Sequence, residues 1–255
     1  MTSRPATLAA ALALLTAPAM AQNLTMATGG SVTSVDPHFF NAAPNSSLAL
    51  HFFETLVDRT HDAKLQPGLA TEWRAISPTV WEFKLRPNVT WHDGRPFTAD
   101  DVVFTLNRVP NVPNSPGGFT GFIRSIERTE VVDPLTVRFH TSYPNPILPT
   151  EIASIFIISR HAGEGAGTED YNSGRAVIGT GPFRFASHRM GDRTEMTRND
   201  AHWGPRQHWQ RVSYRFVAND PARSAALLAG DVDVIDQIAS ADLARLRREG
   251  RIAVT

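Results

Sequence analysis

The sequence predicts an α/β protein, because segments of two-residue apolar period alternate along the chain with segments of helical period. From Val80 to Arg86, Trp81, Phe83 and Leu85 fall on one face and Glu82, Lys84 and Arg86 on the other. That is the pattern of a half-buried strand, and it places the Trp81 ring in the core. Leu48, Phe52, Phe53 and Leu56 recur at helical spacing, as do Val102, Val103 and Leu106. Turn signals separate these runs. At Asp93-Gly94 the glycine tolerates a positive φ without steric cost.

Composition narrows the function classes. The 255 residues allow one large domain or two modest ones, and 42% hydrophobic content is ordinary for a globular chain. Lys+Arg and Asp+Glu both number 25, so no basic excess points to nucleic acid or an anionic membrane surface. The absence of cysteine excludes disulfides, thiolate metal sites and a cysteine nucleophile. At the N-terminus, Arg4, the Ala/Leu run from Leu8 to Leu15, Pro18 and Ala19-Met20-Ala21 read as a secretory signal peptide over residues 1–21. Cleavage is expected after Ala21, with a mature start at Gln22.

Taken in order, Leu24 to Thr28 reads as the first strand. The segment Ser31 to Phe40 carries Asp36-Pro37-His38, and a helix is expected from about Ser46 to Val57, capped by Asn45 or Ser46. Leu69 to Leu106 reads as two strands, a turn and a helix start, with Val89 and Trp91 continuing the alternation after Pro87. Thr98 is a candidate cap, and Asp101, three residues on, favours the free N–H groups of the first turn. Prolines and glycines between Leu106 and Phe122 predict a loop. Ile126 to Phe139 reads as a hairpin turning at Asp133-Pro134. Phe183 and Phe185 open a strand that turns at Gly191-Asp192 and returns through Glu195 to Arg198. Val212 to Val217 is a strand, and Pro221 to Leu228 a helix ended by Gly230. Asp231 to Val234 enters a further strand, Ala241 to Arg248 is a helix, and Ile252 to Val254 begins a last strand.

Motifs for chemistry are sparse. No G-x-S-x-G marks a serine nucleophile, and no H-E-x-x-H marks a metal site among the nine histidines. His202 and His208 sit beside Trp203 and Trp209 in a turn-rich segment and read as packed or surface residues, and His92 as a structural one. The glycines from Gly163 to Gly167 have the spacing of a nucleotide loop, yet no strand runs directly into them and no apolar helix follows. No catalytic residue, metal site or cofactor is assigned.

Four landmarks carry a family resemblance. Leu69-Ala70 with Trp73, Trp91-His92-Asp93-Gly94 and Thr98-Ala99-Asp100-Asp101-Val102 form the first. Gly179-Thr180-Gly181-Pro182-Phe183 is the second, Asn199 to Trp203 the third, and Ala229 to Asp233 the fourth. Together they resemble the family 5 extracellular solute-binding proteins, the peptide- and nickel-binding receptors of ABC importers. The resemblance implies the first lobe of a type II periplasmic-binding-protein fold: a mixed sheet with helices plus a smaller β-rich subdomain. It divides the mature chain into a first-lobe core, 22–57 and 171–255, and an inserted subdomain, 58–170. Members have a second lobe inserted into the first, so the chain reads as the N-terminal half of such a protein, with that lobe missing.

The resemblance further implies a periplasmic, non-enzymatic, monomeric receptor. It would take a short peptide or another small molecule and deliver it to the membrane subunits of an ABC permease. Nickel, haem or another small solute is the alternative ligand within the family; a periplasmic hydrolase or a chaperone-like protein is the alternative outside it. The loop after Asp36-Pro37-His38 lies at the cleft in peptide-binding members. This maps ligand contact onto Asn41, Ala42, Ala43 and Pro44, and a cleft aromatic onto Phe119. Peptide binders commonly place an acid where Asn41 stands.

Overall fold

The protein was analysed as a computed structural model that describes residues 22–254. The signal-peptide reading falls on residues outside this range. The chain runs β1 (Asn23–Thr28), α1 (Ala43–Phe52), β2 (Val57–Arg59), β3 (Leu65–Pro67), β4 (Ala70–Ser77), β5 (Val80–Leu85) and α2 (Ala99–Arg108). It continues through two 3-10 turns into β6 (Ile126–Asp133), β7 (Thr136–Thr141), α3 (Leu148–Ile152), α4 (Arg160–Gly163) and α5 (Thr168–Asn172). The last elements are β8 (Phe183–Arg189), β9 (Arg193–Arg198), β10 (Arg211–Phe216), α6 (Asp220–Ala229), β11 (Val234–Ile235) and α7 (Ser240–Arg248).

Two sheets organise the molecule. The first is mixed, in the order β11-β1-β10-β9-β8. Its strand β1 runs parallel to both β10 and β11, while β8, β9 and β10 form an antiparallel meander. One face of this sheet and helix α1 bury Leu48, Phe52, Phe53, Phe183, Met196, Val212 and Tyr214 in a common core. The second sheet is antiparallel, in the order β4-β5-β7-β6. It packs Phe83, Leu85, Val137 and Phe139 against Trp91, Phe97, Val102 and Leu106 in a second core. A two-stranded ribbon, β2-β3, stands beside it.

Helix α2 follows the capping logic of its sequence. The Asp101 carboxylate accepts from the Thr98 N–H at 2.9 Å, and also from the Arg160 N–H at 2.8 Å and Trp91 Nε1 at 3.3 Å. Burial raises the Asp101 pKa above its ordinary value even against those donors.

Four expectations are corrected. Helix α1 spans Ala43–Phe52, with Ala42 at its N-cap, rather than running from near Ser46 to Val57, which instead opens β2. Pro44 fits the first turn, where a missing N–H costs nothing, and Asn45 is drawn away from capping because its Oδ1 accepts from the Thr33 N–H at 3.0 Å. Trp81 is only half-buried; its ring packs on the core margin and its Nε1 donates to the Asn145 carbonyl at 3.0 Å. Glu82, on the opposite face, is itself buried, held by Arg74 and Arg138 at 2.9 Å each. Residues 252–254 adopt no strand, because no neighbouring strand pairs with them among the described residues.

Candidate functional site

The segment after Asp36-Pro37-His38 forms a short platform with a second loop. Phe40 makes a parallel bridge with Gly117, and the Asn41 N–H donates to the Gly117 carbonyl at 2.8 Å. Ser115 Oγ donates to the Phe39 carbonyl at 2.6 Å, and the Ala42 N–H to the Phe40 carbonyl at 2.8 Å. Asn41 and Ala43 are exposed, and Ala42 and Pro44 half-exposed. Pro44 rests on Gly30, where a Cβ would come within 2.4 Å of its ring. Of the N–H groups around the opening of α1, those of Asn41 and Ala42 are already taken and Pro44 has none, so the Ala43 N–H, which has no acceptor inside the helix, is the backbone donor this segment leaves over. Residues 39–50 and 110–123 contain no charged side chain, in a chain where 20% of residues are charged. The rim therefore offers backbone and amide groups rather than ionic contacts.

Phe119 lies beside this platform but its ring faces inward. It is 2% exposed and packs edge-on against His38 and Phe156, with Phe122 alongside. The structure thus brings Asn41 to Pro44 together with the 115–119 segment and leaves the Phe119 ring beneath them.

Below the platform lies a buried ionic cluster that pattern reading missed. The Asp36 carboxylate accepts from Arg108 Nη2 at 2.6 Å and Nη1 at 2.9 Å, from Thr168 Oγ1 at 2.9 Å and from the His38 N–H at 3.0 Å. Burial works to raise the Asp36 pKa, but the Arg108 hydrogen bonds and charge outweigh it and hold the carboxyl below its ordinary value. His38 Nε2 donates to the Phe156 carbonyl at 2.7 Å, which leaves Nδ1 to accept from Arg108 Nη1 at 3.1 Å. Burial, then the Arg108 charge, pushes His38 down to about 4, so the ring is neutral at pH 7. The Arg108 guanidinium also lies 4.6 Å over the Tyr171 ring. The Asp-Pro-His step was visible in sequence, but nothing local announced Arg108 or Thr168 as its partners.

The histidines behave as structural groups. His92 Nε2 donates to the Gly181 carbonyl and its Nδ1 accepts from the Gly179 N–H. His202 Nε2 and Trp203 Nε1 both donate to the Glu54 carboxylate, at 3.1 and 2.8 Å. Among the described residues, no cluster of three or more His, Asp or Glu could hold a metal ion.

One serine, histidine and aspartate do line up. His161 Nε2 lies 2.6 Å from Asp93 Oδ2, and its Nδ1 2.7 Å from Ser159 Oγ. Ser159 is buried, and its Oγ accepts from the Ala162 N–H at 3.2 Å, so it caps α4 and has no open path to a substrate.

Of the cavities away from the platform, two are lined by a tryptophan. One of about 600 Å³ opens on the outer side of β4 and β5 between Trp73, Arg74, Glu82 and Lys84. Its Glu82 carboxylate is already paired with Arg74 and Arg138. The other, about 200 Å³, lies between the end of α1 and His202-Trp203.

The chain belongs to the bacterial extracellular solute-binding proteins of family 5, whose "family 5 Middle" region matches residues 64–254. It is 24% identical to the periplasmic oligopeptide-binding protein OppA of Haemophilus influenzae over 258 aligned positions, covering 92% of this chain and 47% of that protein. It is 26% identical to the dipeptide-binding protein of Escherichia coli, covering 91% of this chain and 48% of the relative. The solved structure of MoaA from A. tumefaciens R10 with mannopinic acid superposes with a TM-score of 0.80 at 29% identity, over 90% of this chain and 48% of that one. The open, unliganded murein tripeptide binding protein MppA gives the same TM-score at 22% identity, over 91% and 48%. The described residues thus form one lobe of the type II periplasmic-binding-protein fold, and the chain spans about half the length of the curated relatives it matches.

Proposed function

We propose that this chain supplies one wall of the ligand cleft of a periplasmic receptor, and that the ligand is a short peptide handed to an ABC permease. The observation that carries this reading is the charge-free rim at Asn41 to Pro44. A peptide main chain repeats one donor and one acceptor per residue, and the exposed Asn41 side-chain amide and the Ala43 N–H are groups that pair with it without charge. Two-lobe receptors close around a ligand by hinge motion, which removes it from water and strengthens such polar contacts. Names of relatives support the class: oligopeptide-, dipeptide- and glutathione-binding proteins all align with the chain. Within this reading the receptor is exported by its leader, cleaved after Ala21, monomeric and without turnover. Residues 22–57 and 171–255 form the lobe core and 58–170 the inserted subdomain.

A second reading within the family is a small polar solute, favoured by the 29% identity to a structure that holds mannopinic acid. Calorimetric titration of the chain with di- to tetrapeptides, and separately with mannopinic acid, tests both. Heat from peptides alone supports the first reading; heat from mannopinic acid alone replaces it with the second.

A further inference from the structure

We infer that Arg108 is the positioning residue of the ligand rim. The inference rests on the reading of Asn41 to Pro44 as ligand-facing. One guanidinium stands at the root of both segments that build the platform. On its own chain, Arg108 ends α2 and leads through the 3-10 turn Val109–Asn111 into the loop that carries Ser115 and Gly117. Through space it grips Asp36 with two parallel hydrogen bonds, 2.6 and 2.9 Å long, and donates to His38 Nδ1 at 3.1 Å. Asp36 and His38 immediately precede Phe39 to Pro44.

The grip is largely buried, with one cavity of about 260 Å³ beside Arg108, toward Asn111, Pro113 and Gly163. Asp36 is 1% exposed and the Arg108 side chain 10%. The remaining capacity of Asp36 is taken by Thr168 Oγ1 and the His38 N–H, and His38 is tied to the Phe156 carbonyl. A bidentate arginine–carboxylate pair fixes direction as well as distance, so the two loop roots keep one relative orientation. Phe40 and Gly117 then meet in register, and the Asn41 N–H finds the Gly117 carbonyl. Without the grip, the rim has no charged side chain of its own, and the Phe40–Gly117 contact and the Ser115 hydrogen bond to Phe39 are what remain to hold it. Arg108 therefore acts on a ligand through the loops, not by touching it.

Hydrogen exchange on the 255-residue chain tests this, residue by residue. Arg108→Gln leaves Asp36 buried without its counter-charge and risks unfolding, so the deciding variant is the double substitution Asp36→Asn with Arg108→Gln, which removes both charges together. The amides of Asn41 and Ala42 should exchange at least about tenfold faster in it, while those of Met196 and Tyr214 in the mixed sheet keep their rates. Arg108→Lys, which keeps the charge but not the fork, should give an intermediate rate at Asn41. Unchanged exchange at Asn41, uniform acceleration through both sheets, or a double variant that does not fold would each overturn the inference, since each is what a general packing role produces. A separate arm adds tri-alanine to the wild type. No slowing at Asn41 and Ala42 would remove the ligand reading and leave the positioning of the loops intact.

Discussion

His92 Nε2 lies 3.0 Å from the carbonyl oxygen of Gly181, its partner 89 positions along the chain. The Gly179 N–H reaches the other ring nitrogen at 3.2 Å, and Arg184 Nη1 donates to the His92 carbonyl. The turn after Trp91 is thereby locked to the start of β8, joining the two cores. Such a ring must be neutral, because protonating Nδ1 would put a donor against a donor.

Stability should therefore fall in acid in a defined window. Burial, with a further contribution from the Arg184 charge, holds His92 down at about 4 against an ordinary 6.5, despite the Gly181 bond. Between these values the unfolded chain takes up a proton that the folded chain refuses, so stability drops as pH falls from 6.5 to about 4 and levels off below. The loss is on the order of 3 kcal/mol across the window. Thermal denaturation from pH 7 to 4 should show a shallower slope for His92→Asn than for wild type. His38 supplies a second slope of the same sign, and loss of the Asp36 contribution follows only below about 3.8.

Gly179→Ala should destabilise by about 3 kcal/mol. A Cβ there would stand 1.7 Å from the Phe52 carbonyl oxygen, a backbone atom that cannot swing aside. Chemical denaturation measures this directly, and a near-neutral result would mean that the approach of β8 to α1 is looser than described.

Trp91→Ala should cost about 3–5 kcal/mol, the range for a buried large aromatic. Trp91 is 1% exposed, whereas Trp81 is only half-buried, so Trp81→Ala should cost clearly less. Urea unfolding of the two variants in parallel gives the order, and a reversed order would place Trp81 deeper in the core than Trp91.

Ser159→Ala should lower stability by about 1 kcal/mol through loss of the α4 cap. Wild type and variant should show the same background rate with p-nitrophenyl acetate. A rate that vanishes with the Ser159 hydroxyl would mean that the Asp93–His161–Ser159 line is catalytic.

Much of this architecture was legible in the chain. Alternation gave β5, β7 and β8, and Gly230, at a φ of 83°, marks the end of α6 as its sequence suggested. The start of α1 is not legible in the chain, because Asn45 looks like a cap while its partner, Thr33, comes from a segment with no period of its own. Alternation puts Glu82 on the wet face, since it reports only which side a residue is on, not that two arginines enclose it. Resemblance alone proposes Asn41 to Pro44 as a rim. Its support could not, because Asp36, Arg108 and Thr168 are brought together only by the packing of α2 and α5 against one loop.

The most direct test is a nuclear magnetic resonance titration of the 255-residue chain with tri-alanine, following backbone amides. Shift changes should concentrate at Asn41, Ala42, Ala43 and Gly117 and saturate only near about 1 mM or above, as expected for one open wall of a two-lobe cleft. Changes centred on the cavity beside His202 and Trp203, or micromolar saturation by this chain alone, would contradict the account.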